Sequence, residues 1–410
     1  MTFYLGLDFG TSGARACVLD KAGETVSENR AAYADPASAQ AWREALFGLI
    51  DDLPAEIRLN LAALAIDGTS GTLLAADAAF EPMAPALLYN DGRAADEARA
   101  IGNPQYGATS GLAKRLWLAE NFPDAVHCFH QADWLAALLT GRGGITDYHN
   151  ALKSGFDAEN LAWPDWVGRL PGSRWQQKVL TPGDAIGPLL PAMTRRFGLN
   201  PDCIVRAGTT DSIAAFMAAR LTEPGEAVTS LGTTLVLKLL SETRVEEPAS
   251  GVYSHRYGRL WLAGGASNSG GGVLRQYFSD AMLVQLSARI DPARPSGLDY
   301  YPLPAPGERF PLNDLALAPR MSPRPEDDAR FLHGLLEGMA AIEALGYRKL
   351  AALGATPLKR VLTAGGGARN RIWAMIRQQA LQVPVGAAIH GEAAFGSAML
   401  ARSGPQLLPH

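Results

Sequence analysis

Apolar and polar positions along the chain switch repeatedly between the strand period and the helix period. Phe3 to Phe9 is an apolar run of strand length, Thr11-Ser12-Gly13 is a turn, and Ala14 to Asp20 reads as a returning strand. Leu61 to Ile66 is a second buried-type run that stops at Asp67-Gly68, and Leu73 to Ala76 is a short strand after it. From about Ala94 to Leu139 helical spacing dominates, with Leu112, Leu116 and Leu118-Ala119 on one side, until Thr140-Gly141-Arg142-Gly143-Gly144 interrupts it. Ile204 to Ala207 predicts another buried strand, Gly208-Thr209-Thr210-Asp211 a turn, and Ser212 to Leu221 an apolar helix. Ala227 to Leu231 and Thr234 to Leu240 form a strand pair around Gly232-Thr233. Between Pro292 and Pro325 nine prolines exclude a helix and predict an extended crossing. Glu326-Asp327-Asp328 then places three acids at the positive end of a long helix. Its apolar period runs through Phe331, Leu335, Met339, Ile342 and Leu345 to a stop at Gly354. Val361 to Thr363 is a strand that leads into Gly365-Gly366-Gly367 and a helix from Asn370 to Leu381.

Two of these patterns repeat each other. Leu7-Asp8-Phe9-Gly10-Thr11-Ser12 and Thr229-Ser230-Leu231-Gly232-Thr233-Thr234 are each a strand followed by a Gly-Thr-Ser/Thr turn and a second apolar strand. Their glycines lie 222 residues apart, one near the start of each half. A duplicated α/β architecture with facing halves follows, with Thr222-Glu223-Pro224-Gly225 as the punctuation between them. The expected division is 1–222 and 223–391, with the segment 392–410 rejoining the first half.

Composition narrows the class. The chain has 410 residues, enough for two domains with cores of their own. Lys and Arg (37) against Asp and Glu (41) leave a net charge of −4, which argues against a polyanion partner, so no nucleic-acid role is expected. Charged residues are only 19% and apolar residues 47%, the balance of a globular chain. No apolar run reaches the length of a membrane span. The first fifteen residues include Asp8 and Arg15 and do not read as a signal peptide. Cys17, Cys128 and Cys203 lie far apart without a CxxC, which fits a reducing, cytoplasmic setting. Glycine is the outlier at 43 residues. Its clustering at strand ends suggests backbone that makes room for a ligand.

The chemistry follows from those strand ends. A Gly-Thr-Ser turn between strands points amides and hydroxyls at one spot, a nest suited to phosphate, although such turns are also ordinary hairpin chemistry. Two of them could hold the phosphates of a nucleotide. Asp8, at a strand end, reads either as a turn-stabilising residue or as a Mg²⁺ site. Asp211 reads either as a helix cap or as a general base that takes the proton of a substrate hydroxyl during phosphoryl transfer. Gly365-Gly366-Gly367 permits flat approach to adenine or ribose, or is simply a mobile loop. Asp67-Gly68-Thr69-Ser70-Gly71 and Asn90-Asp91-Gly92-Arg93 are polar turns that could meet the hydroxyls of a small molecule. A P-loop, a dinucleotide fingerprint and a serine-hydrolase elbow are all missing from the sequence. His127 and His130 lack further ligands for zinc.

Taken together, five segments resemble the FGGY carbohydrate kinase family, which has the actin/hexokinase/Hsp70-like ATPase fold. They are GLDFGTSGARACVLD, VTSLGTTLVLKL, AGTTDSIAAF, TAGGGARNRIWAMI and GEAAFGSAMLA. Intervening segments such as AIDGTSGTLL, LLYNDGRAADEA and TDYHNALKSGFD are most similar to a compact ribulokinase-like branch that has also carried the xylulokinase label. The resemblance implies two duplicated ribonuclease H-like domains with ATP and sugar in the cleft between them. It implies ATP and Mg²⁺ as cofactors, a ketopentose (D-ribulose foremost) as substrate, and a monomer or homodimer. Asp211 would be the general base, and Asp8 and Asp211 would stand at the metal. Thr11, Ser12 and Gly13 would meet the phosphates from one side, and Gly232, Thr233 and Thr234 from the other. Gly365, Gly366, Gly367 and Asn370 would line the adenosine site. Thr69, Ser70, Asp91 and Arg93, with Asp8 and Asp211, would contact the sugar. Thr69-Ser70 stands where glycerol kinases carry Arg-Glu and typical xylulokinases Met-His, which disfavours both of those substrates. D-xylulose is the alternative sugar. A nucleotide-gated protein of the actin or chaperone type is the alternative of another class.

Overall fold

The computed structural model describes residues 1–409. The chain divides into two units, one formed by Met1–Ala218 with Glu392–Leu408 and the other by Ala219–Gly391 with Pro409.

The first unit is built on a six-stranded sheet. Its strands are β1 (Phe3–Phe9), β2 (Gly13–Asp20), β3 (Thr25–Ala32) and β4 (Leu61–Gly68), and later β9 (Ala185–Pro188) and β10 (Ile204–Thr210). Two small ribbons lie between them in sequence, β5 (Leu73–Ala76) with β6 (His127–His130) and β7 (Ile145–Asp147) with β8 (Lys178–Leu180). The sheet order is β3-β2-β1-β4-β10-β9. β1, β4 and β10 run parallel, whereas β2 and β3 are antiparallel additions and β9 closes the other edge antiparallel to β10.

A central parallel strand is covered on both faces, which is why β1 and β4 read as apolar runs without alternation. Leu5, Leu7 and Phe9 join Trp42, Leu46, Trp134 and Leu135 in one core, under the helices Ala39–Asp51 and Gln131–Thr140. The alternate residues of β1, Gly6 and Asp8, point to the opposite face. There the C-terminal helix Ala393–Ser403 lies close against the sheet. A Cβ on Gly6 would stand 2.1 Å from Ala394 O, and one on Gly396 would stand 1.9 Å from Ala214 O. Only glycine allows strand and helix, or helix and helix, to approach so closely.

The second unit repeats the plan. Its strands are β11 (Glu226–Leu231), β12 (Leu235–Ser241), β13 (Tyr253–Tyr257), β14 (Leu260–Ser267), β15 (Arg360–Ala364) and β16 (Val385–Ala387), in the order β13-β14-β12-β11-β15-β16. β11 pairs antiparallel with β12 and parallel with β15, as β1 does with β2 and β4. The helix Asp328–Ala352 buries Phe331, Leu335, Met339 and Ile342 against this sheet, while Leu345 is only half buried. It is capped by Asp327, whose carboxylate accepts from Ala329 N.

Several expectations need adjustment. The helical stretch from Ala94 to Leu139 is three helices, Ala95–Ile101, Gly111–Asn121 and Gln131–Thr140, with β6 between the last two. The expected helix Ser212–Leu221 begins at Asp211 and ends at Ala218, because Arg220 turns left-handed at φ 56°. The proline-rich stretch is extended and tied by bridges at Tyr301–Arg320 and Glu308–Asp314. All three cysteines are buried and unpaired. Among the described residues no helix is long and apolar enough to cross a membrane.

Candidate functional site

In the first unit three aspartates gather at the C-terminal ends of three adjacent parallel strands. Asp8 on β1 is in register with Asp67 on β4, Thr209 on β10 is in register with Asp67, and Asp211 follows two residues on. Asp8 is almost wholly buried and accepts from Arg15 Nη1 at 3.2 Å, and Arg15 also stands 3.5 Å from Glu392. Burial pushes the Asp8 carboxyl above its usual range, opposed by Asp67 and Arg15. Asp67 is fully buried, and its Oδ2 accepts the Ser397 hydroxyl at 2.5 Å. Burial, then the like charge of Asp8, pushes Asp67 well above the carboxylate range, with Asp211 adding to it. Two facing carboxyls in a dry site cannot both ionise cheaply, and the fully buried Asp67 is the one pushed up further. Asp211 opens the Asp211–Ala218 helix, and its Oδ1 accepts the Ser212 amide at 2.6 Å.

The strand behind Asp211 is anchored from a buried polar cluster. His149 Nδ1 meets Thr209 Oγ1 at 2.7 Å, and Asn150 Nδ2 donates to Asp147 Oδ2 at 2.6 Å. Burial raises Asp147 to about 6. Desolvation lowers Lys153 to about 8 against the pull of Asp211.

The β1–β2 turn exposes Thr11 and Ser12, and Gly10 N donates to Gly13 O at 3.1 Å across it. The turn after β4 is different. Thr69 is buried, with its Oγ1 2.6 Å from Thr72 Oγ1 and 2.9 Å from Gln131 Oε1, so its hydroxyl braces the turn from inside. Ser70 is half buried beside it. Asp91 and Arg93 form a forked pair at 2.8–3.0 Å, and the Arg93 guanidinium lies 5.1 Å over the Trp117 ring. Lys114, fully buried, joins the two turns. Its Nζ donates to Gly71 O at 2.7 Å and to Leu88 O at 2.6 Å.

In the second unit the β11–β12 turn presents Gly232, Thr233 and Thr234, with Thr233 exposed. Its carbonyls are held from behind, by Gly271 N on Gly232 O and by Gly272 N on Thr233 O, both at 2.9 Å. Gly365, Gly366 and Gly367 lie at the end of β15, the place that Gly68 occupies after β4. Gly366 and Gly367 lie in a 3₁₀ turn, Gly366–Arg369, with Gly365 at its N-cap. A Cβ on Gly366 would meet nothing within 4 Å, whereas one on Gly365 or Gly367 would come within 2.8 Å of Leu231. Asn370 caps the Arg371–Leu381 helix by accepting from Trp373 N, and its Nδ2 donates to Ser287 Oγ.

The glycine excess has a mixed cause. Gly208, Gly264, Gly265 and Gly270 make room for protein, since a Cβ on each would fall within 2.8 Å of neighbouring protein atoms. The motif reading named Asp67 only as part of a polar turn that could meet hydroxyls, and it passed over Ser397, Tyr33, Lys114 and His149. For Asp67 a signal was available: Asp67-Gly68-Thr69-Ser70 echoes Asp8-Phe9-Gly10-Thr11-Ser12 at a parallel strand end.

The carboxyls of Asp8, Asp67 and Asp211 offer oxygen ligands, and Asp67 is fully buried. Among the described residues no ready-made cluster of three acidic, His or Cys ligands forms a metal cage. Mg²⁺ keeps waters and takes one or two carboxylates together with phosphate oxygens, and Asp8 and Asp211 offer carboxylates of that kind.

Two sheets of the same strand plan, each with a Gly-Thr turn at its first hairpin, define a duplicated α/β ATPase fold of the actin/hexokinase type. The N-terminal domain model of the FGGY family of carbohydrate kinases matches residues 3–218, and the C-terminal domain model matches 227–403. The chain belongs to that family. It is 27% identical to a xylulose kinase of Escherichia coli over 90% of this chain and 83% of that one. It is 23% identical to a ribulokinase of Halalkalibacterium halodurans over 60% of this chain and 54% of that one. A solved xyloylose kinase structure from Brucella ovis superposes with a TM-score of 0.86 at 25% identity, covering 98% and 90% of the two chains.

Proposed function

We propose that the protein transfers the γ-phosphoryl group of ATP to a hydroxyl of a ketopentose, with D-ribulose the first candidate. The observation that carries the reading is the set of three carboxyls at the ends of β1, β4 and β10, beside the exposed Thr11-Ser12 turn. Phosphoryl transfer asks a protein for positioning and charge neutralisation more than for covalent chemistry. Asp211 accepts the proton of the attacking hydroxyl as its oxygen bonds to phosphorus and ADP leaves. Asp8, with Arg15 at 3.2 Å beside it, and Asp211 would hold Mg²⁺ through oxygen or water. When bound, that ion neutralises charge on the phosphates. Thr11, Ser12 and Gly13 are the phosphate-binding turn of the first unit, and Gly232, Thr233 and Thr234 are the corresponding turn of the second. Gly365, Gly366, Gly367 and the Asn370 cap border the adenosine. Ser70, Asp91 and Arg93 meet the sugar hydroxyls, with Thr69 bracing their turn.

D-xylulose is the second reading of the sugar, favoured by the likeness to the xylulose kinase of E. coli. The test is ADP release by the purified protein with Mg-ATP and D-ribulose, D-xylulose, L-ribulose, glycerol or gluconate. A preference for D-ribulose in kcat/KM supports the first reading, and a preference for D-xylulose the second. If no sugar accelerates ADP release, the kinase reading fails. Asp211→Ala should lose at least about a thousandfold in kcat while nucleotide affinity stays within about twofold. An active Asp211→Ala enzyme would remove Asp211 from its role.

A further inference from the structure

The turn between β1 and β2 has a glycine at each end, so its peptide planes are easily rotated. An anion site needs the opposite property. Amides and hydroxyls must face the phosphate, and carbonyl dipoles must face away. In the second unit the corresponding turn solves this with backbone, through Gly271 N on Gly232 O and Gly272 N on Thr233 O. In the first unit the carbonyl matching Gly232 O, that of Gly10, and the Gly13 carbonyl at the other end of the turn are met by one side chain. The Tyr33 hydroxyl lies within hydrogen-bond reach of both Gly10 O and Gly13 O, the latter at 2.9 Å, so its one proton serves the two carbonyls as a three-centre bond. The register explains how it gets there: Gly13 pairs with Ala32, the last residue of β3, so the next residue lies over the turn.

We propose that Tyr33 is a positioning residue for the phosphate turn Gly10–Gly13: its hydroxyl fixes both flanking carbonyls inward and leaves Thr11 and Ser12 facing the transferred phosphoryl group. The inference rests on the kinase reading above. Tyr33 itself touches no substrate in this arrangement. Its effect is on the orientation of the groups that do. Burial and the nearby Asp8 and Asp67 carboxyls push its phenol above its ordinary range, so it remains a donor at any working pH. A phenol ring also resists displacement better than a flexible side chain, because only two torsions set its position.

Tyr33→Phe deletes this one oxygen and keeps the ring. Two measurements decide the matter. The first is amide hydrogen exchange of the peptide covering Gly10–Gly13, with the Gly232–Thr234 peptide as internal control. The second is steady-state kinetics with Mg-ATP and the accepted sugar. Exchange in the first turn should quicken about tenfold while the control turn is unchanged, and kcat should fall about tenfold with the sugar KM within twofold. A merely structural tyrosine would lower the unfolding temperature and leave kcat per folded molecule alone, which overturns the proposal. Unchanged exchange in the Gly10–Gly13 peptide overturns it as well, whatever the kinetics. If the wild-type protein turns over no sugar, the kinase reading fails, and the exchange comparison still decides whether Tyr33 holds the turn.

Discussion

Lys114 offers a sharp test of how the sugar turns are held. It is a full cation in a dry place, 0% exposed, with its Nζ on Gly71 O and Leu88 O. Burial lowers its pKa from 10.5 to about 8, opposed by Asp91. At about 1.4 kcal/mol per pKa unit, that shift of 10.5 − 8 = 2.5 units corresponds to about 3 kcal/mol against the charged form. Lys114→Met removes this burden but orphans two carbonyls, at about 1–3 kcal/mol each. The two effects largely offset, and the net loss at pH 7 should be on the order of 0–3 kcal/mol, small enough for the domain to fold. The pH dependence separates them. Between about 8 and 10.5 the folded lysine has lost its proton while the unfolded one keeps it. The unfolded state then binds more protons, so wild-type stability rises with pH relative to the mutant. Urea unfolding from pH 7 to 9.5 should show the wild-type advantage growing by about 2 kcal/mol. In parallel, the sugar KM should rise about tenfold or more in Lys114→Met, with the ATP KM nearly unchanged. A stability difference that is flat with pH would refute the buried-cation argument. An unchanged sugar KM would refute the link between Lys114 and substrate.

Two further predictions concern the carboxyl pair and the C-terminal helix. Asp67→Asn keeps a neutral group beside Ser397 and should flatten the pH profile of stability. In the wild type the folded state retains a proton that the unfolded state releases above about pH 4, so stability falls by up to about 1.4 kcal/mol per pH unit until Asp67 itself ionises. Parallel unfolding curves for mutant and wild type between pH 4.5 and 7.5 would contradict the upward shift of Asp67. Gly396→Ala forces a methyl to within 1.9 Å of Ala214 O and should lower stability by about 2–3 kcal/mol by denaturant titration, despite the better helix propensity of alanine. A neutral or stabilising effect would mean that the helix does not lie as tightly on the Asp211 helix as described.

Much of the architecture was legible before any coordinates. Local period and turn chemistry specify β1, β2, β4, β10, β11, β12 and β15, and Asp327 with its flanking acids marks the start of the long helix. The two Gly-Thr turns announce the duplication, and Asp8 and Asp211 are legible as acids at strand ends, each with a structural reading beside the chemical one. What is local in cause is visible in local sequence. The failures have the opposite character. Whether Ala94–Leu139 is one helical region or three helices and a strand depends on what each segment packs against, not on its spacing.

The site follows the same division. Sequence alone determined which residues bear oxygen and charge, and the strand-turn pattern that puts them at loop ends. Tertiary structure decided their neighbours. It set Asp67 in register with Asp8 and Ser397 against Asp67, across 330 residues of chain. It turned Thr69 inward onto Gln131, placed Lys114 under two turns, and carried Tyr33 over the Gly10–Gly13 turn. A proton's position, a lysine's pKa and a carbonyl's direction are set by what is close in space and by how much water is excluded. Neither quantity is a property of a residue or of its neighbours in sequence. They exist only once the sheets have been assembled and their faces covered.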